Sequence, residues 1–520
     1  MKMFQLLRVI IITFPPPNHR AVGSKKPIKF AVYYVSRYYY IDQVTILETM
    51  MKKIYLVIFL ISIYSVCFTQ VRVACIGNSI TYGYGLDNRE KNSYPSRLSN
   101  LLGDDYIVKN FGLNGATLLR KGDIPYLETK EFKEAREFNP NIVFIELGTN
   151  DSKKQNRVYM DNFINDYMTL IESFRILKSN PRIILLIPPP VFYTPDTMNI
   201  SNKIITDSII PKIRECAYKK NVEVINLNNI FIDSILYFPD LLHPNSSGAA
   251  IIAKRCFETL KIDKGNFDIL HNLKLEGVRS NYYGYECFDF NFENNPCKIV
   301  KPKVTAKGNP WIWKARFWGH FPQTELALLE RGFHLVYCDV ADLFGNDTAV
   351  KRWNNFYNFI QTGGLNKKAI LMGLSRGGLI VYNWAVENPE KISCIYVDAP
   401  VLDIKSWPGR FYPYGGSSEE TWEKCKKAYG LKSDEEAKDA KVSPVDKAGR
   451  IAKMNAPMLH IIGMADKTVP PEFNSLPFAD KIRQAGGSIQ VIEKPGVGHH
   501  PHSLANPTPI IDFILKSMEK

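Results

Sequence analysis

The chain has 520 residues, too many for one ordinary domain, so two or three are expected. Its 45% hydrophobic and 23% charged residues exclude a disordered chain. The net charge of +14 does not point to nucleic acid: nine Lys/Arg against Asp42 and Glu48 put +7 in residues 1–70, the other +7 is spread over 450 residues, and there is no basic stripe with interleaved aromatics.

In chain order, residues 1–50 precede a second plausible start at Met50 or Met51 and read as an upstream extension without fold. Met51-Lys52-Lys53, the apolar run 54–66 and the exit Cys67-Phe68-Thr69-Gln70 have the three parts of a secretory signal peptide over 51–69. The run is short for a bilayer span. Tyr64 and Val66 are poor lipobox residues ahead of Cys67. Cleavage near Thr69 and a secreted or periplasmic product, with no stable membrane insertion afterwards, are therefore expected. Eight cysteines then remain. Cys75, Cys338 and Cys394 lie in strand-like runs that suit buried thiols. Cys287 and Cys297 flank a hairpin and could pair in an oxidising compartment. No spacing suggests a zinc site.

Residues 70–261 alternate short Val/Ile-rich runs (71–76, 106–111, 141–147, 182–187, 222–227) with helical stretches (94–102, 158–177, 203–220, 247–260). This rhythm predicts an open parallel sheet with helices on both faces, a three-layer α/β domain. Working groups in such sheets collect outside the carboxyl ends of the strands. Four blocks stand at such places: Gly77-Asn78-Ser79, the 110–117 stretch with Gly115, Gly148-Thr149-Asn150-Asp151, and Asp240-Leu241-Leu242-His243. A serine becomes a nucleophile only beside a base, and His243 is the candidate. Asp240, three residues earlier, can orient that ring and stabilise its cation. The N–H groups of Ser79 and Gly115 and the Asn150 amide are candidate oxyanion donors. Singly, each has a plainer reading as a turn, a helix N-cap or a capped helix start. Together the blocks resemble the GDSL or SGNH hydrolase family, over about 71–260. In that family the serine, glycine, asparagine and histidine of four blocks form the site; they fall here on Ser79, Gly115, Asn150 and His243, with the acid on Asp240. Asn78 replaces the family's usual aspartate, outside those four. The resemblance implies esterase activity, often deacetylation of carbohydrate or lipid esters.

Residues 262–280 are weakly patterned and read as a linker. The second domain, 281–520, opens with a hairpin (285–292 with 297–304) and an aromatic strand (310–318). Strands at 333–340, 369–372, 393–397, 457–462 and 488–492 then alternate with helices at 323–331, 349–361, 377–387, 474–484 and 509–518. Between one strand and its helix sits Gly373-Leu374-Ser375-Arg376-Gly377. A sharp strand-to-helix turn leaves no room for β-carbons beside the nucleophile, exposes the Ser375 hydroxyl, and aims the Arg376 N–H at an anion forming beside it. Asp466 follows one later strand and His499 the next. This Ser, Asp, His order, from about 283 to the end, resembles the α/β-hydrolase family. By role Ser375 is the nucleophile, His499 the general base and acid, and Asp466 its orienter. His500 is an alternative base, and Asp398 or Asp403 an alternative acid. The first oxyanion donor is narrowed only to an N–H near Phe317 or Trp318. His499, His500 and His502 can be read as a metal cluster, but their spacing fits no standard ligand set, so neither a metal nor a cofactor is expected. Residues 401–455 interrupt the rhythm as a lid-like insertion, in which Trp407, Tyr412, Tyr414 and Trp422 either stack on sugar rings or pack the insert.

The two resemblances together imply a secreted serine esterase with two catalytic domains. Its expected partner is an acylated, foremost acetylated, carbohydrate such as plant polysaccharide, not nucleic acid. The alternatives are one catalytic domain beside a non-catalytic binding module, or lipid esterase or serine peptidase activity in the second domain.

Overall fold

The Val/Ile runs of the first domain form five parallel strands: β1 (Val71–Gly77), β2 (Tyr106–Gly112), β3 (Ile142–Glu146), β4 (Arg182–Ile187) and β5 (Glu223–Asn226). A computed structural model of the chain describes residues 45, 47, 49–56, 70–193, 199–262 and 267–519. The strand order is β2-β1-β3-β4-β5, so the direction of winding reverses at β1/β3, the place where open α/β sheets leave a crevice. Side chains alternate across the sheet. Val73 and Cys75 enter a core with Tyr94, Leu98, Ile252 and Cys256 from helices Tyr94–Leu102 and Ser246–Leu260. Ala74 and Ile76 enter the other, with Phe163, Leu170 and Ile213 from helices Phe163–Arg175 and Ile210–Lys220.

The second sheet has nine strands: β6 (Val278–Tyr282), β7 (Tyr285–Phe292), β8 (Asn295–Val300), β9 (Trp311–Lys314), β10 (His334–Cys338), β11 (Ala369–Leu374), β12 (Ile392–Asp398), β13 (Met458–Gly463) and β14 (Ile489–Lys494), in the order β14-β13-β12-β11-β9-β10-β8-β7-β6. The strands from β9 onward pair parallel, while β6, β7 and β8 form an antiparallel meander that joins through β8 to β10. Trp311 and Trp313 face helices Asp347–Thr362 and Gly377–Glu387, and Ile312, between them in sequence, faces helices Gln323–Leu329 and Thr508–Met518.

Two expectations are corrected. The stretch 262–280 is not simply a linker: helix Ile269–Leu273 puts Ile269 and Leu270 into the second core, and β6 begins at Val278. Cys287 and Cys297 do not pair. In the β7–β8 register Cys287 is opposite Val300 and Cys297 opposite Phe290, an odd offset that sends the two thiols to opposite faces of the sheet. All eight described cysteines are buried and free. The insertion 401–455 is a small folded unit, with helices Glu419–Tyr429 and Asp434–Asp439 around Val401, Ile404, Trp422 and Cys425, while helix Ala448–Ala452 packs Ala448 and Ile451 into the main core of the second domain. Most of 1–69, including most of the extension and signal segment, lies outside the described residues; 49–56 are helical. Among the described residues no helix is long and apolar enough to cross a membrane.

Two candidate active sites

In the first domain Ser79 opens the short helix Ser79–Tyr82 straight off β1. Asn78 caps that turn through Oδ1, which accepts the Ile80 N–H at 2.8 Å. The Ser79 hydroxyl lies 2.9 Å from His243 Nε2, and His243 Nδ1 lies 2.6 Å from Asp240 Oδ2. The other oxygen of Asp240 accepts the backbone N–H groups of Leu242 (3.0 Å) and His243 (2.6 Å), so the acid is locked to the turn that carries the base. Partial burial would raise the Asp240 carboxyl, but these bonds from His243 and Leu242 outweigh it and hold it below the usual carboxylate range. The Tyr84 ring packs over His243, centroids 4.7 Å apart.

The three candidate oxyanion donors stand at neighbouring strand ends. Gly115 takes φ +78 in the loop after β2. Asn150, 5% exposed, follows β3 and donates one N–H to Ala116 O at 3.0 Å, which ties its loop to that of Gly115. Among the described residues neither the Ser79 N–H nor the Gly115 N–H has an acceptor. Two acids missed in the sequence support this floor. Asp151 accepts the N–H groups of Leu118 (3.1 Å) and Leu119 (2.8 Å); burial raises it to about 6, with those bonds opposing. Glu146, the last residue of β3, is fully buried beside Asn78, and burial raises it to about 8.

In the second domain Ser375 sits at φ +48, a conformation that costs a non-glycine residue of order 1–3 kcal/mol and is held by its surroundings. Its N–H donates to Asp398 O (2.9 Å) and its carbonyl accepts from Val401 (2.9 Å). A β-carbon on Gly373 would lie 3.0 Å from the Gly377 backbone, so any side chain there would have to push the tight turn apart. Ser375 Oγ lies 3.0 Å from His499 Nε2, and His499 Nδ1 lies 2.7 Å from Asp466 Oδ2. Asp466, 4% exposed, accepts the N–H groups of Thr468 and Val469 through its other oxygen.

The alternatives are engaged elsewhere. Asp398 bonds His502 Nδ1 (2.7 Å) and Ser503 N–H (2.8 Å); Asp403 bonds Tyr412 Oη (2.9 Å). His500 is exposed and stacks on Phe321. The ring nitrogens of His499, His500 and His502 come within 4.8 Å, but both of those on His499 are committed to Ser375 and Asp466, and Nδ1 of His502 to Asp398. Such a set does not suit a resident ion.

The Arg376 N–H has no acceptor among the described residues. Facing it, the loop after β9 reaches Gly377, with Arg316 N 3.8 Å from where a Gly377 β-carbon would stand. The Arg316 and Phe317 N–H groups are likewise without acceptors, and they are the second candidate donors. This loop is anchored by Lys314, fully buried, which pairs with the buried Glu325 and donates to His320 O at 2.9 Å. The Arg376 guanidinium lies 5.8–5.9 Å from the rings of Phe317, Phe344 and Trp407. Trp407 thus reaches the site from the insertion. Trp422 is instead buried, with its indole N–H on Asp434 (2.8 Å), and Tyr412 stacks on Phe473; both pack the insert. Tyr414 is 55% exposed.

Each constellation can move a proton from a serine hydroxyl to an imidazole whose far nitrogen faces a carboxylate, beside unsatisfied N–H groups.

Residues 75–251 match the GDSL-like lipase/acylhydrolase family, and residues 359–518 match the prolyl oligopeptidase family. An acetylxylan esterase of Xylanibacter ruminicola is 40% identical over 202 residues, which cover 35% of this chain and 42% of that protein, so the chain spans less than half the length of that relative. An uncharacterised Bacillus subtilis protein is 21% identical over 214 residues, 37% of this chain and 82% of its own. An S-formylglutathione hydrolase structure from Agrobacterium tumefaciens is 14% identical with a TM-score of 0.35, covering 46% of this chain and 98% of that one. That likeness is too distant to speak to chemistry. The chain joins a GDSL-like lipase/acylhydrolase domain to a second, α/β-hydrolase domain of the kind found in the prolyl oligopeptidase family.

Proposed function

We propose that the chain is a secreted serine ester hydrolase with two catalytic centres, which removes acyl groups, foremost acetyl, from plant polysaccharide. The observation that carries this reading is the relay built twice: Asp240, His243 and Ser79 in one domain, Asp466, His499 and Ser375 in the other, each link between 2.6 and 3.0 Å. In each, the serine oxygen attacks the ester carbonyl and passes its proton to the histidine. The oxyanion draws on the nearby N–H groups, and on the Asn150 amide in the first domain. The histidine returns the proton to the departing sugar hydroxyl, and water then releases acetate from the acyl-serine by the same relay. The likeness to an acetylxylan esterase, over the first domain, supports acetylated xylan as the substrate there. The lysine pair, apolar run and polar exit of 51–70 support export.

A second reading concerns the second centre alone. The family matched over 359–518 is named for a peptidase, and the same relay cleaves amides. The test is acetate release from acetylated xylan, with peptide 4-nitroanilides alongside. Ser79→Ala and Ser375→Ala are each expected to remove part of the acetate release, and the double variant all of it, each centre falling at least about 10³-fold. A fluorophosphonate probe is expected to label both serines. A double variant with parental esterase activity overturns the reading. A single labelled serine makes the other domain a binding module, and nitroanilide release that depends on Ser375 favours the peptidase.

A further inference from the structure

Between the two domains lies a cleft of about 440 Å3, within the range of small-molecule sites. Neither serine nor either histidine of the two relays lines it. From the first domain it takes helix Ile210–Lys220 and the end of β5; from the second, the β6–β7 turn and the start of helix Gln323–Leu329. Its lining is rich in amides, and its one carboxylate, Glu215, is paired with Lys219 at 2.8 Å. Asn226 and Asn281 are fixed through Oδ1, which accepts the N–H groups of Asn229 (3.2 Å) and Gly284 (2.7 Å), and their NH2 groups have no acceptor among the described residues. The Asn229 side chain likewise has no bond among the described residues, and Gln323 Oε1 is buried without a donor. The one buried cation, Arg214, donates to Tyr283 O (3.1 Å) and sits close enough to Glu330 to lower that carboxyl, so its charge is already answered.

The remaining wall is an aromatic ring in an unusual place. Tyr282 pairs with Tyr285, so Tyr283-Gly284 is a two-residue hairpin turn, with φ +50 and +99. Asn-Gly suits such a turn, whereas a tyrosine is a strained occupant. Tyr283 nonetheless stands 44% exposed, with its ring braced edge-on by Tyr282 at 5.1 Å and its hydroxyl donating to Gly319 O at 3.3 Å. Packing does not ask for this ring. A flat aromatic face, uncommitted amides and the absence of a free charge are the chemistry that recognises the C–H face and hydroxyls of an uncharged pyranose.

We infer that this interdomain cleft is a binding subsite for a neutral sugar residue of the polymer, separate from both relays. It rests on the esterase reading only for the identity of that polymer. The probe is unsubstituted xylohexaose, titrated calorimetrically into the full-length Ser79→Ala/Ser375→Ala chain. Adding Tyr283→Ala is expected to weaken binding about tenfold. Tyr283→Phe, which keeps the ring, is expected to restore it to within about twofold, and Asn229→Ala to weaken it severalfold. With both serines intact, Asn229→Ala should leave hydrolysis of 4-nitrophenyl acetate unchanged and raise KM for acetylated xylan. Affinity indifferent to both Tyr283→Ala and Asn229→Ala, or no binding of xylohexaose at all, overturns the inference. Loss of the esterase reading would appear instead as absent 4-nitrophenyl acetate turnover, with the calorimetric result standing by itself.

Discussion

Glu146 is the residue whose chemistry is most at odds with its position. It closes an otherwise apolar strand, is fully buried, and lies beside Asn78, the residue before the first serine. Burial raises its carboxyl to about 8, with the neighbouring Asn78 amide offsetting only part. An unfolded glutamate ionises near 4.5. Between those values the unfolded chain has lost a proton that the native state keeps. The stability from the neutral acid is therefore full below about pH 4.5 and falls as pH rises toward 8, by about 1.4 kcal/mol per unit. Glu146→Gln keeps the shape and removes the titration. It is expected to flatten the stability profile between pH 5 and 8 and to be the more stable protein at pH 8, measured by urea unfolding. Equal slopes for parent and variant would refute the assignment. Asn78 also gains a reason here: the aspartate usual in the resembled family would set a second carboxyl against this one, where a carboxamide suits a neutral acid.

At the scale of elements, the loops after β13 and β14 carry two members of the second relay, Asp466 and His499. A β-carbon on Gly463, the last residue of β13, would stand inside van der Waals contact with the carbonyl oxygens of Val497 and Gly498, just ahead of His499. Gly463→Ala must push that loop aside. A displacement of about 1 Å typically costs on the order of 10² in rate. In a Ser79→Ala background the variant should lose about that much 4-nitrophenyl acetate turnover, and in a Ser375→Ala background none; undiminished turnover in the first background would count against the coupling. These strand-end residues were legible because each follows a bounded Val/Ile run directly, so chain order alone lined up Ser375, Asp466 and His499. Glu146 and Lys314 were not, because a charged residue inside an apolar run reads as a break in the pattern, and its buried neighbour or partner, Asn78 or Glu325, comes from another element. β6 was missed because it is an edge strand with Val278, Arg279 and Asn281 exposed, leaving no apolar face to betray it. Trp422 left two roles open in the sequence; its partner Asp434, twelve residues on, assigns it to packing.

At the scale of the whole molecule, the two domains meet through buried polar contacts as well as apolar ones. Glu330 caps helix Gln323–Leu329 of the second domain with its side chain 3% exposed. It accepts the Asn226 N–H at 3.2 Å and lies 3.9 Å from Arg255, whose side chain is 4% exposed. Burial raises the Glu330 carboxyl, and Arg255, Arg214 and Arg331 oppose that rise. Arg255 and Arg214 come from the first domain, so one carboxylate from the second answers two guanidinium groups across the seam. Asn506 adds a second tie, donating to Ile230 O at 3.1 Å. Removing one partner of a buried ionic cluster typically costs about 3–5 kcal/mol, because the charges left behind stay desolvated. Glu330→Ala strands cations on the first domain while leaving both relays untouched. The loss should therefore appear as lost coupling: one calorimetric unfolding transition in the parent, two in the variant, with 4-nitrophenyl acetate turnover at 25 °C unchanged. A single transition at the parental Tm would mean that the seam is held by its apolar contacts alone and that the two hydrolase domains do not depend on this carboxylate to unfold together.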